Sequence, residues 1–259
     1  MPQSSSEKAL TPERIRANFF SKLKQPLVCE EIFDTLTDTV FFVKDHLGRY
    51  VVVNQTLVDR VGAKSKQELI GRTVLQLFPE SLAENFVSMD KEVLLEGKQV
   101  NDRLQLHLFR NRRPGWSLLH RHPVYSENDK IIGLIGMAKD LHAPNENEED
   151  YKVLAKVIHH IQQNYNKPLK VPDLAEMAGM SPYQFDQRVR KIFYLSPGQF
   201  LNKTRIDHAC FMLTNSDAPI SDVAFDCGYA DQSAFTRQFR QTTGMTPRVY
   251  RQEHEHHGR

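Results

Sequence analysis

The run Ile220-Ser-Asp-Val-Ala-Phe-Asp-Cys-Gly-Tyr-Ala-Asp-Gln-Ser-Ala-Phe-Thr-Arg-Gln-Phe-Arg240 places a small residue, Ala224, mid-segment, then Gly228, then a polar start, then Phe235 and Phe239 at i and i+4. Each choice has a physical reason. Alanine lets two helices approach closely, glycine takes the positive φ that ends the first helix, and the paired phenylalanines give the second helix one apolar face. The run therefore predicts a helix-turn-helix. The same layout occurs once more upstream. Asp173-Leu-Ala175 matches Asp222-Val-Ala224 and Gly179 matches Gly228 at an offset of 49; from Phe185 the offset is 50, pairing Phe185 with Phe235, Val189 with Phe239, Arg190 with Arg240, Pro197 with Pro247 and Phe200 with Tyr250. One residue is thus inserted in the turn after Gly228. In the first unit Ser181 is placed to cap the second helix, and Pro182 presets the φ of its first turn. That helix exposes Tyr183, Gln184, Gln187, Arg188 and Lys191; the corresponding helix of the second unit exposes Gln232, Ser233, Thr236, Arg237 and Arg240. Amides, hydroxyls and guanidinium groups are what read base edges or hold phosphates in a major groove. Phe185, Val189, Phe235 and Phe239 are core residues and nothing more.

Two such units, joined by Pro197-Gly-Gln-Phe-Leu-Asn-Lys-Thr-Arg-Ile206 and closed by Gly244-Met-Thr-Pro-Arg-Val-Tyr250, resemble the DNA-binding domain of AraC/XylS-type bacterial regulators over about residues 151–252. The resemblance implies that both recognition helices enter successive major grooves on one face of the duplex, tied by a long helix. A helix from Pro197 to about Leu213 spans ~26 Å, comparable to the ~34 Å groove repeat once side chains are added. It also implies that Tyr183, Gln184 and Gln187 touch bases in the first unit and Gln232, Ser233 and Arg237 in the second, and that Arg188, Arg190, Lys191 and Arg240 contact phosphate. Promoter DNA and RNA polymerase are the implied partners, and activation the implied output. Two positions depart from the family pattern. Tyr194 stands where the second unit has Gly244, so that turn is either strained or shaped differently, and Gln187 replaces the Arg often found there.

Upstream of Asp150 the texture is different. Thr39-Val-Phe-Phe-Val-Lys44 and Arg49-Tyr-Val-Val-Val-Asn54 are rich in β-branched and aromatic residues and flank the turn Asp45-His-Leu-Gly48, which predicts a hairpin. Leu104-Gln-Leu-His-Leu108 alternates at period two; Trp116 to Tyr125 and Ile131 onward, split by the polar turn Glu127-Asn-Asp-Lys130, complete a meander. Gln55–Val61, Lys66–Ile70 and Glu84–Glu96 between them have helical composition. Phe41-Phe-Val-Lys-Asp-His-Leu-Gly-Arg-Tyr-Val-Val-Val-Asn54, Leu69-Ile-Gly-Arg-Thr73, Leu77-Phe-Pro79 and Ile132 to Asp140 together look like a PAS domain over about residues 30–142. Such domains sense small ligands or dimerise, and fold analogy does not choose between the two. The reactive Cys of photoactive flavin-binding members and the helix His of haem-binding members are both missing from the central helices. His107, His120 and His122 fall on or near strands, where polar side chains usually face solvent. Trp116 and Phe41 are expected in the core.

The chain has 259 residues, with 40% hydrophobic and 25% charged residues, which excludes wholesale disorder and fibrous classes. Residues 1–150 carry 20 Lys+Arg against 22 Asp+Glu and residues 151–259 carry 14 against 10, so the second half leans basic and favours an anionic partner. Cys29, Cys210 and Cys227 have no zinc-like or disulfide-like spacing. His254-Glu-His-His257 has metal-like composition but a terminal place, and no metal site is expected. No catalytic motif such as G-x-S-x-G, a P-loop or H-E-x-x-H occurs, so an enzyme is not expected. No signal peptide is visible and no apolar run reaches the ~20 residues of a membrane span, so a cytoplasmic protein without membrane contact is expected.

The expected architecture is therefore an α+β PAS domain, a five-stranded antiparallel sheet with helices, followed by an all-α domain with two helix-turn-helix motifs. The boundaries are 1–29 for a helical or flexible extension, 30–142 for the sensor, 143–150 for a linker around Asn145-Glu-Asn-Glu-Glu-Asp150, 151–252 for the DNA-binding domain and 253–259 for a tail. The expected function is a sequence-specific transcription regulator that needs no cofactor and whose PAS half receives a signal, with an unidentified small molecule as candidate ligand. Two alternatives stay open: a constitutive DNA-binding protein whose PAS half only makes a homodimer, and a PAS cofactor or interaction protein with no role on DNA.

Overall fold

The computed structural model describes residues 30–108, 114–142 and 149–255. The extension expected at 1–29 lies outside the described residues, as does 143–148 of the expected linker. In chain order the first half comprises α1 (Glu30–Phe33), β1 (Thr39–Asp45), β2 (Tyr50–Val53), α2 (Gln55–Val61), a 3-10 turn at Lys66–Glu68, α3 (Val74–Leu77), α4 (Glu80–Glu96), β3 (Val100–Leu108), β4 (Pro114–Tyr125) and β5 (Ile131–Leu141). The strands form one antiparallel sheet in the order β2-β1-β5-β4-β3. The β1–β2 hairpin closes as its sequence predicts. Asp45 accepts the backbone N–H groups of Leu47 and Arg49 at 2.9 and 3.0 Å, and Gly48 takes φ 76°. Asn54 then ties three elements together: its side chain accepts from the N–H of Phe41 and Leu57 and donates to the carbonyls of Phe33 and Thr39.

The helical middle differs from its sequence reading in two places. The stretch Lys66–Ile70 shortens to a single 3-10 turn, and α4 starts at Glu80, right after Pro79, rather than at Glu84. The short α3 carries a capping box between Thr73 and Gln76, the T-x-x-Q signal of a helix start.

The inner face of the sheet packs Val40, Phe42, Val53 and Leu134 against Leu57, Val58, Met89 and Val93 of the helices. Within this core Asp90 of α4 holds two cations, Lys44 Nζ at 2.6 Å and Arg121 Nη1 at 2.8 Å. Burial drives the Lys44 pKa down to about 8 against the pull of Asp90.

The second half is helical: α5 (Glu149–Asn164), α6 (Val171–Met177), α7 (Pro182–Phe193), α8 (Pro197–Asn215), α9 (Ile220–Asp226), α10 (Gln232–Thr243) and α11 (Pro247–Glu255). Leu154, Val157, Ile158 and Ile161 form the buried stripe of α5 that their spacing predicts. Two features of the expected linker and tail differ. Glu149 and Asp150 make the first turn of α5, and α11 runs through Glu255, where the expected tail begins at 253. The reason is local: the His254 ring stacks on Tyr250 at 4.2 Å, and its Nδ1 lies 2.7 Å from the Tyr250 carbonyl.

The two halves share a core. Period-two alternation puts Leu104, Leu106, Trp116 and Leu118 on the outer face of β3 and β4, and all four are buried in the same cluster as Phe200, Ile206 and Phe239 of the helices. Trp116 is core as expected, yet its indole N–H donates to Asp207 of α8 at 2.9 Å. Gln199 of α8 donates to the carbonyl of Asp102 at 2.6 Å, and Lys139 of β5 sits 4.5 Å from the Tyr194 ring centroid. The sheet is thus buried on both faces along β3 and β4.

Candidate nucleic-acid interface

The duplicated sequence makes duplicated local structure. Ala175 and Ala224, both essentially inaccessible, sit where α6 meets α7 and α9 meets α10. Each first helix ends on a left-handed glycine, Gly179 at φ 67° and Gly228 at φ 77°, whose N–H groups bond back to Glu176 and Phe225. Gly228 is required twice over, because a Cβ there would lie 2.8 Å from the Asn166 backbone. The second helices are then capped differently. Ser181 and Gln184 form a capping box on α7, whereas in the longer second turn Asp231 accepts the N–H of Ala234 at 2.7 Å. Phe185, Val189, Phe235 and Phe239 are buried, which turns the polar residues of α7 and α10 outward.

On α7, Tyr183, Gln184, Gln187, Arg188, Arg190 and Lys191 line one surface groove with Gly179, Met180 and Asp150. Tyr183 is 72% exposed. The Gln184 Oε1 accepts the N–H of Ser181 at 3.0 Å, so its acceptor serves the cap and its amide N–H groups remain to donate outward. Arg190 pairs along the helix with Asp186 at 2.8 Å. Arg188 lies 3.5 Å from Asp150, which also pairs with Lys191. The Lys191 ammonium, hydrogen-bonded to Asp150, holds that carboxyl below the usual range.

On α10, Gln232, Ser233, Thr236, Arg237 and Arg240 line a second groove together with Gln241 and Thr246. Here the opposite wall belongs to the other half of the chain: Asn85, Ser88 and Glu92 of α4 and Arg103 of β3. Arg240 faces Glu84 at 3.7 Å, and Glu92 is paired with Arg103 at 3.0 Å. The eleven residues singled out from the sequence thus gather on two grooves, six and five to a groove. What the sequence reading missed is the acidic side of each groove. Asp150 closes the acidic run Asn145-Glu-Asn-Glu-Glu-Asp150, a visible signal; Glu84 lies some 150 residues from its partner and gave none.

Tyr194 resolves the open question about the first unit's turn. It takes φ 59°, ψ 14° at the end of α7, where Gly244 takes φ 84°, ψ −13° at the end of α10. The turn keeps the same left-handed shape and Tyr194 bears the strain, about 1–2 kcal/mol for a residue with a Cβ.

His120 and His122 lie on β4, with His122 Nε2 2.7 Å from Asn101 Oδ1 and His120 Nε2 3.7 Å from Asp102. The side chain of His107 is outside the described residues. Among the described residues no group of three or more His, Cys, Asp or Glu side chains is placed to hold a metal ion, and no helix is long and apolar enough to cross a membrane.

Comparison with known proteins adds the family. A model described as a helix-turn-helix domain matches residues 174–253, and one described as a PAS fold matches residues 33–145. Regulatory protein SoxS of Escherichia coli K12 is 29% identical over 100 residues, covering 39% of this chain and 94% of SoxS. The chain is a PAS domain joined to a DNA-binding domain of the AraC family. An uncharacterized HTH-type transcriptional regulator of Staphylococcus aureus is 31% identical over 96 residues, which are 37% of this chain and 13% of that protein, so the chain spans about an eighth of the relative's length. The DNA-binding domain of AdpA, solved in complex with a target DNA, is 30% identical and covers 40% of this chain and 95% of that one, with a TM-score of 0.39. The residues matched by the helix-turn-helix model run from α6 into α11 and include both α7 and α10.

Proposed function

We propose that this chain is a one-component transcription regulator that reads double-stranded promoter DNA through α7 and α10 and takes its signal through the PAS half. The domains divide at 143–150, with the sensor at 30–142 and the DNA-binding domain at 151–252. Tyr183, Gln184 and Gln187 contact bases from α7, and Gln232, Ser233 and Arg237 do so from α10, with Thr236 on the same DNA-facing side. Arg188, Arg190, Lys191 and Arg240 hold phosphate. The observation that carries this reading is the grouping of these side chains on the outward faces of two helices at matching positions of the repeat. The 19-residue α8 between the two units, about 28 Å long, supports their entry into successive grooves. Activation through RNA polymerase is the output.

Signal sensing has its own support in the PAS core. Gln105 alternates with Leu104 and Leu106 and so faces inward opposite Ser117; it is 2% exposed and neither amide atom has a partner. Such a group is costly unless something satisfies it, and a small polar ligand would do so. A ligand shifts the output only if it binds the two states with different affinity. The Trp116–Asp207 bond gives any rearrangement of β4 a direct route to α8.

Selection of sites from a random double-stranded pool by the full chain, at fixed salt because phosphate contacts make affinity salt-dependent, tests the reading. Two short elements about one helical turn apart are expected, and Arg237→Ala should lose about 1–3 kcal/mol on the selected site. No enrichment, or an affinity indifferent to Arg237→Ala, overturns it.

A further inference from the structure

The two reading faces have different surroundings. The groove on α7 is walled by the AraC-type domain and Asp150 alone, whereas the groove on α10 has α4 and β3 as its far wall. The end of α10 lies against α4. A Cβ on Gly244 would lie 3.4 Å from the Asn85 Cβ and 3.6 Å from Leu82, and α10 packs directly on β3. A recognition helix inserts into a major groove about 12 Å wide with DNA on both sides. α4 thus walls one side of the groove that DNA would enter along α10, and the Glu84 carboxylate lies 3.7 Å from Arg240, where it competes with a phosphate for that guanidinium. Asn85 Nδ2, at the centre of this contact, is buried without a hydrogen-bond partner, so the contact is imperfectly satisfied and separation lets water pair with the amide.

We infer that α4 and β3 of the PAS domain form an intramolecular docking surface for α10 that competes with DNA, so that the second helix-turn-helix unit engages DNA only after α4 withdraws while the first stays open. This rests on the DNA-reading role of α10 proposed above. It assigns the PAS domain a definite mode of regulation: whatever shifts α4, which also carries Asp90 of the buried Lys44–Asp90–Arg121 cluster, alters access to one recognition helix and leaves the other alone.

A reversible lock tests it. In the full chain with Cys29→Ser, the pair Asn85→Cys and Gly244→Cys places two Cβ atoms about 3.4 Å apart, close to the ~3.5–4.5 Å that a disulfide spans. A side chain is tolerated at the left-handed position, as Tyr194 demonstrates in the first unit. Cys227 is buried and Cys210 half-buried in the helical half, and burial pushes both thiols up to about 12, so little of either is thiolate. On a site selected by the reduced variant, oxidation should weaken binding by about tenfold or more, and a reductant should restore it. Equal affinity of oxidised and reduced forms overturns the inference and leaves the DNA-binding reading standing. Failure of the unaltered chain and of the reduced variant to select any site overturns the DNA-binding reading and the inference together. Glu84→Arg, at an exposed position, gives a second measure free of any folding risk from the cysteines. It should raise affinity about threefold for a two-element site and leave a site holding only the first element unchanged; an equal rise on both sites, or no rise, contradicts the inference.

Discussion

The first and second helix-turn-helix units share a sequence plan, a left-handed glycine turn and a buried phenylalanine pair or its Phe-Val equivalent, yet one faces open space and the other faces the PAS domain. The difference teaches that a repeat duplicates local structure but not surroundings. Short-range physics, meaning caps, close-packing alanines and a positive φ after each first helix, is written twice in the chain. Where each unit lies against the rest of the molecule depends on which sheet residues turn outward, and that is decided once, by the outer face of β3 and β4.

As packing units the two should be interchangeable, which gives the largest expected effects. Phe185→Ala and Phe235→Ala, at 1% and 0% exposure, should each destabilise the full chain by about 3–5 kcal/mol in urea unfolding. A gap of more than about 1 kcal/mol between them would break the equivalence of the cores.

As readers of DNA the two should differ. On a selected site Arg237→Ala should cost about 1–3 kcal/mol, and Gln187→Ala, at the equivalent position of α7, should cost less, near the ~1 kcal/mol floor for a base contact. Titration of a labelled duplex measures both, and a larger loss for Gln187→Ala would reverse the ranking of the units.

The turn after each recognition helix provides a stability contrast. Gly244→Ala puts a Cβ into φ 84° and 3.4 Å from Asn85, and should cost about 1–2 kcal/mol. Tyr194→Gly relieves a similar strain but forfeits the ring contact with Lys139. The two terms nearly cancel, and the net change should stay within about 0.5 kcal/mol. Thermal unfolding of the pair reads the difference directly.

The smallest effect belongs to Asp150→Asn, which frees Arg188 and Lys191 and should raise DNA affinity less than about threefold. Because Lys191 holds the Asp150 carboxyl below its ordinary range, the carboxylate stays ionised until the pH falls through that lowered value. The gain should therefore be the same at about pH 6 and about pH 8; a gain confined to one of them would show that another group controls α7.

Much of this was legible in the sequence. The five strands, the αL glycines and the two polar helix faces follow from alternation, composition and repetition. Even the small α3 carried its mark in Thr73 and Gln76. What escaped was set by tertiary structure. The alternation Leu104-Gln-Leu106 states that one face of β3 is apolar, but not that α8 and α10 cover it. Nothing in the run Thr39-Val-Phe-Phe-Val-Lys44 signals that Lys44 is buried; its partner Asp90, 46 positions away, comes to it from α4. The turn at Tyr194 could not be settled from residue type, since only the backbone shows that a tyrosine accepts the left-handed conformation there.

The central claim is that the same chain reads DNA with two helices, one of them after release from α4. Hydroxyl-radical footprinting of the full chain on its selected site tests this most directly. The account predicts protection in two successive major grooves on one face of the duplex, about 10 base pairs apart, with the second protection lost when α4 and α10 are locked by the oxidised Asn85→Cys, Gly244→Cys pair. A single protected groove in the unlocked chain, or two that persist under the lock, would contradict it.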